Sequence, residues 1–347
     1  MRKILLFSAI LLLFLAGCQQ QTTTTTGATP FIEGEKAVDI KFLDSTPSEI
    51  FDASDPSNTA TFYPFEIGLQ IENLGETDID SGNMVVRLSG LYSGDFKKKT
   101  EAGGYGDVVA SDLTKMYTET LSTGETVPLT RAKKDSEGNK LPGGVWLATF
   151  PELAYAKTLF GSLDLKLRAD VSYVYNTKAV VMYCLRRNLM SRISGICEVA
   201  GPKTVYNSAG PVHVTAVTES IAGTNKVLFT FRVNKVGGGR LLVEGANAFS
   251  ETLADQNKVS VAVFPKVTVN ADKFSCTNLE GAASATGAAE TGVTGLLRLG
   301  ESGEGIFTCA LNTAGLDAEA VKAMEITLGY RYEESLPKTM TIKHIAG

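Results

Sequence analysis

From residue 36 onward the chain alternates between apolar and polar side chains. Phe65, Ile67, Leu69 and Ile71 are separated by Glu66, Gly68 and Gln70. Phe229, Phe231 and Val233 alternate with Thr230, Arg232 and Asn234, and Val259–Asn270 is valine-rich with near alternation. A period of two puts one set of side chains on a buried face and the other toward water, so these stretches predict half-buried strands. Helical periodicity is thin. Only Pro151–Gly161 and Leu316–Met324 predict short helices.

The alternation repeats at a distance. Leu69–Gly75 lines up with Phe231–Gly237, each ending in a glycine turn, at an offset of 162 residues. Val171–Asn176 lines up with Leu328–Glu333 through a Tyr-x-Tyr motif, at an offset of 157 residues. Further strands follow the two motifs at Ala179–Tyr183 and Thr339–Lys343. Two echoes in the same order predict tandem copies of one unit. Short strands divided by Gly, Asn, Asp and Pro turns predict an antiparallel β-sandwich for each copy. The expected fold class is therefore all-β, with two tandem antiparallel sandwiches. The expected domains are residues 36–190 and 205–347, joined by a linker at 191–204. The first copy carries a polar, glycine-rich insertion at about 95–150, with Ser136–Asn139 read as a hairpin tip. Loops carry function more often than scaffold strands, so this insertion is the expected contact region. Trp146, the single tryptophan, reads as a core residue.

A different pattern precedes this body. Met1-Arg2-Lys3 is followed by a nearly continuous apolar run, Ile4–Leu15, and then by Ala16, Gly17 and Cys18. A basic start, an apolar core of this length and small residues at its end describe an export signal. The run is short for a membrane span, which needs about 20 apolar residues. Leu15-Ala16-Gly17-Cys18 resembles the lipobox of prokaryotic lipoproteins. That resemblance implies a signal peptide at 1–17, lipid on Cys18, and attachment to the extracytoplasmic face of the cell membrane. Residues 18–35 include five consecutive threonines and are expected to form a disordered tether, because they cannot bury enough apolar surface to offset their ordering entropy.

Phe65–Gly90 also resembles the adhesion-related, immunoglobulin-like modules of prokaryotic surface proteins. The resemblance rests on apolar alternation, then Asn73-Leu74-Gly75, then a turn and the apolar strand Met84–Leu88. The second copy departs from it, with Asn234 one residue early and three glycines filling the turn. The resemblance implies extracellular display and a binding or spacing role, and transfers no catalytic residue.

Cysteine usage agrees with export. Of five cysteines, Cys18 is assigned to lipid, leaving Cys184, Cys197, Cys276 and Cys309. In an oxidising compartment such residues pair. Three connectivities are open, and the local one, Cys184–Cys197 with Cys276–Cys309, is preferred. No Cys-x-x-Cys spacing occurs and only two histidines exist, His213 and His344, so a zinc site is not expected. Both histidines read as surface or packing residues.

The formal net charge is −5, and losing Arg2 and Lys3 with the signal brings it to about −7, which disfavours nucleic acid. The one dense basic stretch, Arg186-Arg187 with Arg192 nearby, reads as a solvated linker. No Gly-x-Ser-x-Gly elbow or phosphate-binding glycine loop is present. Asp52, Asp55, Asn58, Asp78 and Asp80 offer oxygens in turns, but without calcium-loop spacing they read as turn formers. No catalytic residue, cofactor or metal is expected. The function read from the sequence is a lipid-anchored, non-catalytic surface protein, acting in binding or adhesion or as a structural envelope component. Its expected partners are the membrane, through Cys18, and another surface protein or a glycan. The alternatives are a carbohydrate-active enzyme and a solute-binding lipoprotein.

Overall fold

Two long alternating stretches, Leu163–Leu185 and Ala320–Lys343, form strands that pair antiparallel from Leu163 opposite Ile342 to Leu185 opposite Ala320. Everything else in the fold is arranged on this ladder. The computed structural model describes residues 29–186, 188–190, 195–267, 273–286, 291–315 and 319–345. Cys18, the threonine run, Arg187 and Arg192 lie outside them.

In chain order the first half holds β1 (Val38–Phe42), β2 (Glu49–Phe51), β3 (Phe65–Asn73), β4 (Met84–Ser89), β5 (Phe96–Lys99) and β6 (Tyr105–Asp107). It continues with β7 (Thr114–Met116), β8 (Lys133–Lys134), β9 (Lys140–Leu141), β10 (Val145–Tyr155) and the long β11 (Leu163–Leu185). The second half holds β12 (Gly201–Lys203), β13 (Val205–Asn207), β14 (Val212–Ile221), β15 (Lys226–Lys235), β16 (Arg240–Leu242) and β17 (Lys258–Phe264). It ends with β18 (Phe274–Thr277), β19 (Glu280–Thr286), β20 (Thr291–Arg298), β21 (Glu304–Asn312) and the long β22 (Ala320–Lys343).

One sheet of five strands runs β1-β3-β10-β5-β6, and a second runs β12-β14-β15-β21-β18. Between them in the connectivity lies a ten-stranded sheet, β19-β20-β17-β22-β11-β4-β7, with β2, β13 and β16 added alongside. The apolar positions of β3 (Ile67, Leu69, Ile71) and β4 (Met84, Val86, Leu88) share one continuous core with Phe229, Phe231 and Phe307 of the second half. Tyr183 of β11 meets Phe229 of β15 edge-on at 5.1 Å, joining two sheets. The fold is an antiparallel all-β sandwich, as the alternation predicts.

The two halves repeat one design about the middle of the ladder. Val174 stands opposite Arg331, 157 residues further along, which is the offset of the Tyr-x-Tyr echo. Tyr173 therefore faces Tyr332, and Tyr175 faces Tyr330. Their ring centroids lie 6.0 and 6.3 Å apart, and all four rings are buried. Aromatic pairs of this kind contribute roughly 0.5–1.5 kcal/mol beyond their buried area. The glycine turns repeat too. Ala37 O accepts the N–H groups of Leu74 and Gly75, while Pro211 O accepts those of Val236 and Gly237. Thr77 N–H donates to the Tyr175 hydroxyl, and Gly239 N–H donates to that of Tyr332.

Three findings differ from expectation. Phe31–Gly347 forms one compact unit, so segment 191–204 joins two halves of one body rather than two beads. The physical reason is the shared ladder, together with β13 of the second half pairing with β11 of the first. The last residues of the expected tether lie on this body, where Lys134 Nζ donates to Phe31 O and Gly34 O accepts the Gly210 N–H at 2.9 Å. Neither expected helix forms among the described residues. Pro151–Tyr155 finishes β10 and Ala320–Met324 begins β22, because pairing with neighbouring strands outweighs weak local helix preference. No helix of the described residues is long and apolar enough to cross a membrane.

Candidate functional site on the outer face of the central sheet

Alternation that sends Met84, Val86, Val171, Tyr173, Tyr330 and Tyr332 into the core sends their neighbours to the opposite face of the ten-stranded sheet. Those neighbours are Arg87 on β4, Asp170 and Ser172 on β11, and Arg331, Glu333 and Ser335 on β22. Strand register then sets Arg87 opposite Asp170, Asp170 opposite Ser335, Ser172 opposite Glu333, and Arg240 of β16 opposite Glu333. Cross-strand neighbours of this kind are close enough to pair directly.

The face is charged yet covered. Asp170, Ser172, Arg331 and Glu333 are only 5, 0, 8 and 7% exposed. The segment after β16 closes over them. Ala246 O accepts Arg331 Nε at 2.7 Å, and Phe249 N–H donates to Glu333 Oε1. The Arg87 guanidinium lies 4.1 Å above the Phe249 ring centroid, a cation–π contact.

Two buried carboxylates organise the arginines. Asp170 receives Arg168 Nε at 2.8 Å and Nη2 at 3.1 Å, Arg87 Nη2 at 3.4 Å, and the Ser335 hydroxyl at 2.6 Å. Glu333 receives Arg240 Nε at 2.8 Å and the Ser172 hydroxyl at 3.1 Å, and that hydroxyl in turn accepts Arg331 Nη1. Burial pushes the Arg331 guanidinium below the usual arginine range, and Glu333 opposes that shift. On the core side of β22, burial raises the Glu334 carboxyl, and the Tyr173 hydroxyl donates to it at 2.9 Å. In front of the network lies an open cleft of about 700 Å³, lined by Arg87, Arg168, Lys235 and Arg240 and also by Glu251 and Glu334.

This network has no copy in the other half of the repeat. Register matches Arg87, Asp170 and Ser172 to Ala262, Thr327 and Gly329, and matches Arg331 and Glu333 to Val174 and Asn176. A network needed only to hold the repeated fold together would be wanted in both halves.

The residues singled out from the sequence fall elsewhere. Cys184 pairs with Cys197 and Cys276 with Cys309, and the second bridge joins directly opposed residues of β18 and β21. Cys18 lies outside the described residues. Asp52 is buried and accepts His344 Nδ1 at 2.7 Å and the N–H groups of Leu159 and Ile345. Asp55 accepts from Ser57, Asn58 caps the short 3-10 turn Thr59–Thr61, and Asp78 accepts the Arg131 N–H. Among the described residues no group of His, Cys, Asp or Glu is placed to hold a metal ion. His213 is partly buried, its Nε2 making no hydrogen bond, and burial pushes its imidazole down. Trp146 is half-buried against the core, edge-on to Tyr117 at 5.4 Å.

The expected insertion folds down as strands. β5 and β6 extend one sheet, β7 extends another, and β8–β9 form the hairpin around the Asp135–Asn139 turn. None of its residues lines the arginine cleft. Sequence reasoning missed the cleft because Arg87, Asp170 and Glu333 look like ordinary outward residues of alternating strands. The available signal was the charge flanking the second Tyr-x-Tyr motif, absent from the first.

No protein-family model matches the chain, and no curated protein matches it. Among solved structures it is similar to envelope protein VP37 of White Spot Syndrome Virus, with 12% identity, 46% of this chain and 98% of that chain covered, and a TM-score of 0.22. It is also similar to AvmM, which catalyses macrocyclization in alchivemycin A biosynthesis, with 13% identity, 40 and 74% covered, and a TM-score of 0.22. The B domain of a biofilm associated protein matches with 9% identity, 86% of each chain covered, and a TM-score of 0.11. Likenesses this weak carry no functional argument.

Proposed function

We propose that the chain is a lipid-anchored, extracytoplasmic surface protein with a non-catalytic binding or adhesion role, its lipid carried on Cys18. The observation that carries this reading is the pairing of Cys184 with Cys197 and of Cys276 with Cys309. It leaves Cys18, at the end of the apolar leader, as the remaining cysteine, and disulfides belong to oxidising compartments. A single acyl chain holds a membrane only weakly, so stable anchoring takes a second chain or another membrane contact.

The cleft supports binding rather than chemistry. Its two buried carboxylates are engaged by arginine N–H groups and serine hydroxyls, an arrangement that positions donors. The absence of α-helix among the described residues counts against the solute-binding alternative, a class built on alternating strands and helices. Intact-mass analysis of the native product tests the anchor. The expected mass is that of residues 18–347 plus lipid. An unmodified Cys18 with residues 1–17 still attached overturns the reading.

A further inference from the structure

We propose that the outer-face cleft binds an acidic polysaccharide, taking its carboxylate or sulfate groups on Arg87, Arg168 and Arg240. The surface reading above supplies only the place where such a polymer is met; the recognition chemistry stands on the cleft itself.

Four arginines surround two carboxylates. Arg87 and Arg168 share Asp170, while Arg240 and Arg331 are joined to Glu333 directly and through Ser172. Arg331 is buried behind the cleft, whose own lining balances Arg87, Arg168, Lys235 and Arg240 against Asp170, Glu333, Glu251 and Glu334, so a ligand anion is taken by arginine donors and not by net charge. The arginines reach the cleft surface, because the side chains of Arg87, Arg168 and Arg240 are 43, 54 and 38% exposed and those of Asp170 and Glu333 only 7%. Glu251 and Glu334 line the cleft as well, so recognition rests on the arginine forks and not on a uniformly positive wall.

Donor geometry points the same way. Arg168 and Arg240 grip their carboxylates through Nε and Nη2, and Arg87 touches Asp170 through Nη2. Among the described residues no hydrogen bond occupies the Nη1 atom of any of the three, and the side-on Nε/Nη2 grip of Arg168 and Arg240 leaves that donor outside the pair. The planar guanidinium fork matches an oxyanion, and buried carboxylates together with the Phe249 ring hold it in place before a ligand arrives. At about 700 Å³ the cleft is far larger than one small anion and falls within the range of organic-ligand sites. The formal net charge of −5 gives the chain no general attraction for polyanions, so capture depends on this local cluster.

The test uses the mature acylated chain in detergent, with immobilised polygalacturonate (carboxylate), heparin (sulfate) and dextran (neutral), and vesicles rich in phosphatidylglycerol as the lipid arm. Free sulfate and galacturonate monomer serve as competitors. Binding to at least one acidic polymer, none to dextran, and a loss of at least tenfold in the Arg168→Gln/Arg240→Gln double variant are expected. Arg232→Gln, outside the cleft and paired with Glu304, is the control that keeps full affinity. Equal binding to dextran, preference for the vesicles, full competition by monomer at equal anion concentration, or an unaltered double variant overturns the proposal. Should the double variant fail to fold, arginine-specific labelling of the wild type decides. Arg87, Arg168 and Arg240 are expected to be protected by the polymer, and unprotected residues overturn the assignment. The mass of Cys18 is read separately, so failure here leaves the anchor reading intact.

Discussion

Tyr175 sets its hydroxyl where a side chain on Gly75 would have to go: a Cβ built there lies 1.9 Å from the oxygen. Tyr332 does the same to Gly237, at 2.3 Å. The two sequence echoes, a glycine turn and a Tyr-x-Tyr strand, are therefore one packing arrangement used twice. Gly75→Ala is expected to destabilise the protein by about 1–3 kcal/mol, as overpacking does. Gly161→Ala serves as a control with open space around its Cβ and no positive φ, expected to change stability by no more than about 0.5 kcal/mol. Urea titration of both variants checks the difference, and comparable losses would refute the steric account.

Division of the chain at residue 190 tests the shared ladder. Expressed alone, residues 31–190 leave β11 without its β22 partner along the whole strand. Long bare edges recruit other chains. The fragment is expected to be insoluble or to dimerise, whereas a monodisperse monomer by light scattering would mean that the halves fold independently.

The Asp52–His344 contact fastens the chain end near β2 and makes stability depend on pH. Burial pushes the Asp52 carboxyl up, but bonds from His344, Leu159 and Ile345 outweigh it and hold the carboxyl below its ordinary value. A carboxyl lowered on folding contributes stability above its unfolded value of about 4, and that contribution is lost as pH falls through the folded value. Asp52→Asn is therefore expected to cost about 2 kcal/mol at pH 7, the scale of hydrogen bonds to a charged group. By pH 3 the gap to wild type should narrow, and denaturant melts at the two pH values measure it.

Removing the Cys276–Cys309 bridge, which spans 33 residues, is expected to cost about 4 kcal/mol by chain-entropy estimates. Cys276→Ser/Cys309→Ser and the wild type, compared by calorimetry without reductant, provide the measurement. An unchanged midpoint would show that the β18–β21 pairing holds without the bond.

Alternation, glycine turns and cysteine spacing are local properties. They determined the all-β class and the repeat, because a strand's two faces depend on residues near in sequence; of three open disulfide connectivities they favoured the local one, and the structure selected it. The fusion of the halves was not legible, since β11 and β22 find each other across more than a hundred residues through register. Nor was the cleft. Arg87, Asp170, Arg240 and Glu333 each read as solvated charges one strand at a time. Only pairing four strands and folding Val243–Asn257 over them decides that two carboxylates are buried, where desolvation makes their arginine partners obligatory.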